Sequence, residues 1–549
     1  MIVRPFLSKV DPKWWFLIGF VLFCCAYEYG RVLHLRPLPH HLMRQTMSLS
    51  LTYNCYDGTG SLLEPVIHNY FNDGGTSGKS AAEFPLLYWV VGMIWRFTGP
   101  SEFVYRMIML AIHFGGSLAL FITLRRLVSD WQWAAMAALL FFTSPAIIYF
   151  AIGFITEVPA FDLVLVGAYL LVRRWPEQRR GDVILAWALF AVAGALKISS
   201  FMGPLAVIAC LVCGTVWPRS FIRDQRFFPH RRTMWLGSIA AVAFVAAWHL
   251  YAAYYNSRHG VSYSHQGILP IWDLTPQRRS EIRDFATSIL VYELFDPTAW
   301  IAMAGMLVYL ALHLRHVPRT AIVLNGSLLL GALGYTLLWY ETLEAHDYYF
   351  INPMIALVAL MATFLSTLRK CHPRIWASGG ARVLYLSLLC YNLAYAANDM
   401  WMRTRGNSTL TAAKVWPLHH GKQIWYWDLS QYWGMERVLE IEPYLRSIGV
   451  KEDDLVICAH DNTLCAMLYL CGQRGWNEFW EPLKEAGQVD ELIAHGARYL
   501  IVKDDELTSR PFMTPFLSHM IGEQDGVRVY DLRGLGGNGL LPASNGSVR

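Results

Sequence analysis

The chain has 549 residues, of which 55% are hydrophobic and 16% charged; its net charge is +5 and its mean hydropathy +0.31. Ordinary globular chains carry about a quarter charged residues, so one soluble domain is excluded. The small excess of Lys and Arg sits in short clusters between apolar runs, which marks membrane topology and not a nucleic-acid surface.

The first three quarters of the chain repeat apolar runs of about 16–22 residues, the length that crosses a bilayer core. Backbone polar groups cannot stay unpaired in lipid, so each run must be a helix. Arg4, Lys9 and Lys13 precede the first run, and Ala26-Tyr27-Glu28 is a poor cleavage site, so this run reads as an uncleaved span. The pattern predicts spans near residues 14–32, 104–124, 133–150, 158–172, 183–197, 201–217, 234–255, 299–314, 320–339, 348–368 and 383–398, about eleven in all. The segment Phe84 to Thr98 is too short and contains Arg96. Counting it as a span would invert every later loop, so it is expected to lie at the outer surface as a juxtamembrane helix.

The loops alternate in charge. Arg125-Arg126, Arg173-Arg174 with Arg179-Arg180, Arg219 to Arg232, Arg315 with Arg319, and Arg369, Lys370 and Arg374 share one side. Cytoplasmic loops collect Lys and Arg, so that side, with the N-terminus, is predicted to be cytoplasmic. The opposite face holds a long first loop from about Leu33 to Phe103 and a second from about Asn256 to Ala299, which includes His265. It also holds Glu157, Lys197 and the turn Glu341 to Tyr349.

Glu157 opens a span with no basic neighbour in sequence. A charge at that depth costs roughly 2.5–3.5 kcal/mol on insertion scales. It suits either a reaction site or the positive end of a helix dipole. Lys197 suits a phosphate or a snorkelling position. His346-Asp347 suits a metal, a phosphate or a structural role.

Beyond Met400 the hydropathy falls. Residues 454–458 read as a strand, Asn462 to Leu470 and Val489 to His495 as helices, and 498–503 and 527–532 as strands. This alternation predicts a small α/β domain over residues 401–535. A Gly-rich tail, 536–549, is expected to be disordered. There is no phosphate-binding glycine loop. Cys210 and Cys213 lie mid-span without a partner pair, and a disulfide among Cys458, Cys465 and Cys471 is open.

In order and sidedness, several motifs resemble those of the GT-C integral-membrane glycosyltransferases, in the bacterial branch related to protein O-mannosyltransferases and lipid A aminoarabinose transferases. They are His41-Leu42-Met43-Arg44-Gln45-Thr46, Leu62-Leu63-Glu64-Pro65, Glu83-Phe84-Pro85-Leu86-Leu87-Tyr88, and Thr98 to Glu102 followed by Arg106. Thr156-Glu157-Val158-Pro159, Lys197 and His346-Asp347-Tyr348-Tyr349 complete the set, over roughly residues 10–400. Many relatives carry an Asp shortly after the Arg-Gln pair, where this chain has Met47.

The resemblance implies a polytopic α-helical GT-C-like transferase domain over residues 1–400, with the C-terminal α/β domain outside a bacterial inner membrane. It implies a sugar moved from a polyprenyl-phosphate donor to a glycan, lipid or protein acceptor, with inversion. Glu83 and Glu157 are then the candidate catalytic carboxylates, with Asp57 and Glu64 in reserve. Arg44, Lys197, His346 and Tyr349 are expected to hold the donor phosphate, and a divalent cation on Glu83 or His265 would serve the same end. Burial is expected to raise the proton affinity of a carboxylate base. The alternatives are a secondary transporter, against which the lack of an internal repeat counts, and a non-catalytic glycan-handling membrane protein.

Overall fold

The computed structural model describes residues 11–38, 40–174, 177–217, 229–261, 267–344, 346–405, 434–479 and 482–535. The predicted tail, His265 and the arginines at 219, 223 and 226 fall outside them.

Each predicted span carries a helix. In chain order the principal helices are α1 Pro12–Ala26, α2 Leu42–Asp57, α3 Leu86–Thr98, α4 Glu102–Val128, α5 Trp131–Phe141, α6 Pro145–Phe150, α7 Glu157–Val172 and α8 Arg180–Leu196. They continue with α9 Met202–Val216, α10 Arg231–His259, α11 Pro276–Phe285, α12 Pro297–Leu312, α13 Arg319–Leu338, α14 Ile355–Cys371 and α15 Gly379–Arg405. Among the described residues, 5 segments are long and apolar enough to cross a membrane, or 6 if the pair Pro276–Leu294 and Pro297–Leu312, bent by 91°, counts as one. Their outward faces carry bare aliphatic side chains: Leu250, Ile301, Leu312 and Leu330 are all more than two-thirds exposed. Such a surface suits lipid, since soluble monomers rarely expose contiguous apolar area.

The run predicted near 133–150 is broken into α5 and α6. The Ser144 side chain accepts a hydrogen bond from the Ile147 N–H, and Pro145 opens the next helix. A serine cap followed by proline is the ordinary way to start a helix, and it overrides the continuous hydropathy here.

The first large loop is ordered around α2 and α3. Gly58, at φ 89°, ends α2 in the left-handed region that glycine favours. Gly92 lets α3 approach closely: a Cβ there would stand 2.8 Å from the Thr52 carbonyl oxygen. Buried Leu49, Leu51, Leu87, Val91 and Trp95 from this helix pair join one hydrophobic cluster with Val456, Leu464, Leu468 and Ile501 of the C-terminal domain.

That domain is a five-stranded sheet in the order β2-β1-β3-β5-β4. Its strands are β1 Leu455–Ala459, β2 Gly475–Asn477, β3 Ala497–Val502, β4 Met520–Gln524 and β5 Val527–Asp531. β1 pairs parallel with β2 and β3; β5 pairs antiparallel with β3 and β4. The helices α16 Ala466–Leu470 and α17 Ala486–Ala494 complete it. All ten cysteines are unpaired thiols.

Polar contacts tie this domain to the first loop. The Gly475 N–H donates to the His68 carbonyl at 3.1 Å. The Asn69 side chain donates to the Leu464 carbonyl at 2.7 Å, and Arg474 pairs with Asp57. The Tyr469 hydroxyl donates to Glu102 at 3.1 Å, at the start of α4. The first loop and the C-terminal domain therefore share one end of the helix bundle. Arg125 and Arg126 of α4 and Arg369 of α14 lie at the opposite end, in the last turns of those helices.

Candidate active site

Four parts of the chain converge beside this shared end. α2 opens at Leu42 and points Arg44 from its first turn. The irregular segment before α3 brings Glu83, and the Phe84 N–H donates to the Ala195 carbonyl at 2.9 Å, tacking that segment onto the end of α8. Lys197 is the residue at which α8 stops. The turn after α13 supplies His346, Tyr348 and Tyr349. Together with Met47, His249, Tyr335 and Trp339 these side chains line a cavity of about 210 Å³.

The charges in it are paired. Arg44 forms an ion pair with Glu83, and the Tyr88 hydroxyl donates to the same Glu83 oxygen at 2.5 Å. Lys197 Nζ lies 2.6 Å from Glu157 Oε1 and 4.0 Å above the Tyr349 ring. Glu157, the first residue of α7, is fully buried beneath the lysine. Its Oε2 has no hydrogen-bond partner among the described residues. The His346 ring stacks on Tyr349 with centroids 4.9 Å apart. Two cations and two carboxylates thus cancel formally, and each cation already has a partner.

The structure therefore gathers Arg44, Glu83, Glu157, Lys197, His346 and Tyr349 in one place. Burial alone would raise the Glu83 carboxyl, but Arg44, then Lys197, then the Tyr88 hydroxyl outweigh it and hold Glu83 below its ordinary value. This corrects the expectation of a base strengthened by burial. A divalent cation at Glu83 does not fit: a guanidinium occupies its Oε1 and repels a second positive charge. His265, its expected partner, lies outside the described residues. The reserve acids stand elsewhere, since Asp57 pairs with Arg474 and Glu64 lies outside the cavity lining.

Arg106, part of the motif set, is a tether. Its guanidinium donates to the carbonyls of Ile152, Leu35 and Arg36 at 2.6, 3.3 and 3.2 Å, and it lies 4.3 Å over the Phe154 ring. Next to the cavity is a second charged group, of which the sequence weighed only Asp347, together with His346. His40 and His41 both face Asp347, and Arg403 near it pairs with Glu293 and Asp399.

A helical bundle that carries a large ordered first loop, with paired buried charge at one end and an α/β domain on the same end, is a fold this chain shares with solved structures. Among solved structures the chain is similar to ArnT from Cupriavidus metallidurans bound to undecaprenyl phosphate, with TM-score 0.58, 13% identity, and 95% of this chain and 98% of that one covered. The apo state of the same protein gives 0.54 at 12% identity, with 95% and 98% covered. The archaeal oligosaccharyltransferase AglB from Archaeoglobus fulgidus, in complex with an inhibitory peptide and a dolichol-phosphate, gives 0.47 at 12% identity over 89% of this chain and 69% of that one. No protein-family model and no curated protein matches the sequence.

Proposed function

We propose that this chain is a membrane glycosyltransferase that moves a sugar from a polyprenyl-phosphate donor to an acceptor at the outer face of a bacterial inner membrane. The observation that carries this reading is the convergence of Arg44, Lys197 and Glu83 on one cavity, with Glu157 buried behind Lys197 as its ion-pair partner. It is supported by the likeness in fold to an ArnT that binds undecaprenyl phosphate.

In this reading the prenyl tail lies along lipid-facing helices and the phosphate enters the cavity. Arg44 offers a planar fork, Lys197 a point charge, and His346 a donor to the phosphate oxygens. The leaving group is the lipid phosphate, so these groups stabilise charge that grows as the anomeric C–O bond breaks. The acceptor hydroxyl attacks that carbon directly, and a single displacement inverts it.

The pairing suggests how the base is armed. While Arg44 holds Glu83, the carboxylate is a weak base. When the donor phosphate takes over the guanidinium, Glu83 loses its strongest positive neighbour and its proton affinity rises. It then accepts the proton of the acceptor hydroxyl. Glu157 keeps Lys197 charged and aimed at the cavity. The acceptor is a glycan, lipid or protein, and the C-terminal domain, packed on the first loop, bounds the space it enters.

The test is transfer by purified full-length protein in proteoliposomes, given undecaprenyl-phosphate sugars and read by mass spectrometry. It is paired with profiles of surface glycolipids and glycans from cells with and without the protein. The expected result is one glycan class that loses a sugar without the protein. Unchanged profiles and no donor consumption by well-folded protein would contradict the reading.

A further inference from the structure

We infer that His40, His41 and Asp347 form a binding site for one divalent transition-metal ion of the zinc class, behind the wall of the cavity. His40 Nε2 stands 3.1 Å from Asp347 Oδ2, and His41 Nε2 stands 3.0 Å from Asp347 Oδ1. All three candidate donor atoms lie within 4.8 Å of one another. Metal–ligand bonds of about 2.0–2.2 Å set neighbouring donors about 2.9–3.5 Å apart in octahedral to tetrahedral shells, and the two histidine–carboxylate separations fall in that range. All three side chains are buried.

The backbone is bent to make this convergence. Consecutive residues ordinarily point their side chains apart. His41 adopts φ 51° and ψ 39°, a left-handed conformation that non-glycine residues avoid and that collects at ligand sites. Turned this way, it aims its ring at the same carboxylate as His40. Other groups fix the remaining parts: the Gln45 side chain and the Tyr149 hydroxyl donate to the His40 carbonyl at 2.7 and 3.1 Å. The Tyr348 N–H donates to Asp347 Oδ1 at 2.7 Å.

Charge balance leaves room for a cation. Arg403 contacts Glu293, Asp399 and Asp347. Among the described residues three buried carboxylates face this one guanidinium, which leaves two formal negative charges when the imidazoles are neutral. Isolated buried charge is strongly disfavoured, so the group must take up protons or an ion. Two imidazoles and a carboxylate suit zinc and its neighbours, whereas Mg²⁺ and Ca²⁺ prefer all-oxygen shells. The cavity beside it, whose charges already cancel, has no such demand. The His41 ring lies 5.9 Å from His346 and 4.7 Å from Tyr348, both cavity-lining, so a bound ion would add positive potential beside the phosphate site.

The test is metal content, which does not depend on the transferase reading. Full-length protein in detergent is equilibrated with micromolar Zn²⁺, desalted and measured by plasma mass spectrometry. About one zinc per chain is expected, falling to less than about a tenth in His41→Ala and Asp347→Ala. His372→Ala removes one member of a histidine pair at the far end of the bundle, where the two Nε2 atoms are 3.2 Å apart, and is expected to keep the zinc. Zinc-edge X-ray absorption on the unmodified protein serves if those variants do not fold, and two imidazoles with an oxygen donor are the expected shell. No zinc on the unmodified protein, full zinc on both ligand variants, or a shell without imidazole would overturn the site.

Discussion

The two ends of the helix bundle handle charge in opposite ways. At one end Arg125, Arg126, Arg369 and Lys370 sit in last turns; Arg126, Arg369 and Lys370 are exposed, and Arg125 is half-exposed beside Asp11. At the other, Lys197, Glu157, Arg403 and Glu293 are drawn inward and paired with one another. The first arrangement costs little and sets orientation. The second carries a desolvation penalty that ion pairing only partly repays. Charge placed where it is expensive, around a cavity, is what separates a candidate reaction centre from a topology signal.

The sharpest way to break this contrast is to remove the lysine. Lys197→Met is expected to lower transfer by about 10²–10³-fold or more, because a cation facing the leaving phosphate is lost. The comparison fails if turnover stays near normal. Glu157→Gln strands that lysine without its partner, and breaking a buried pair costs about 3–5 kcal/mol. Its midpoint of thermal unfolding should fall, and the double variant Glu157→Gln with Lys197→Met should regain most of that stability but not the activity. A double variant as unstable as Glu157→Gln alone would show that the two side chains do not act as a pair.

A third prediction concerns pH. Glu83 is held below its ordinary value by Arg44, Lys197 and Tyr88 against its burial. The acid limb of kcat/KM, which reports the free enzyme, should therefore fall below the usual glutamate range. The limb of kcat should lie at higher pH, since bound donor phosphate takes Arg44 away from the carboxylate. Arg44→Gln should move the kcat/KM limb upward. Superimposed limbs in all three measurements would remove Glu83 as the base.

The arginine end supplies the contrasting control. Neutralising Lys370, which is exposed and caps the His316 carbonyl at 3.5 Å, is expected to change turnover less than about twofold, as surface substitutions usually do. The smallest effect lies in the C-terminal domain. His460 Nδ1 lies 3.2 Å from Glu478 Oε2, and this hydrogen bond leads in raising its proton affinity against partial burial. A raised folded value means that its contribution is fully present below the unfolded value and is lost as pH rises through the folded one. The stability gap between unmodified protein and His460→Gln should be a few tenths of a kcal/mol below about pH 6 and should vanish by about pH 9. A gap that grows with pH would contradict the pairing.

Much of this architecture was legible in the sequence because bilayer thickness and backbone pairing leave few choices. Each predicted span position carries a helix, although only 5 or 6 of the described segments are long and apolar enough to cross a membrane, and strands β1, β3 and β5 fall where apolar runs placed them. The two strands that sequence missed, β2 and β4, are the outer strands of the sheet. β2 has only three residues, and β4 carries Gly522, Glu523 and Gln524. Edge strands lack a second neighbour and need no long apolar run. Motif order singled out five residues of the cavity lining, Arg44, Glu83, Lys197, His346 and Tyr349, and Glu157 behind it, whereas Asp347 was read only together with His346 and His40 passed without a role. Their contact joins residues 307 apart in sequence, and no local spacing encodes it. Two adjacent histidines ahead of a helix were the available signal.

The most direct test of the central claim is photocrosslinking with a polyprenyl phosphate that carries a diazirine beside the phosphate. The account predicts labelled peptides from the start of α2, from residues 195–198 and from the turn holding Tyr348 and Tyr349, with competition by unlabelled donor. Specific, competed labelling confined to other parts of the chain, in protein that still transfers sugar, would contradict it.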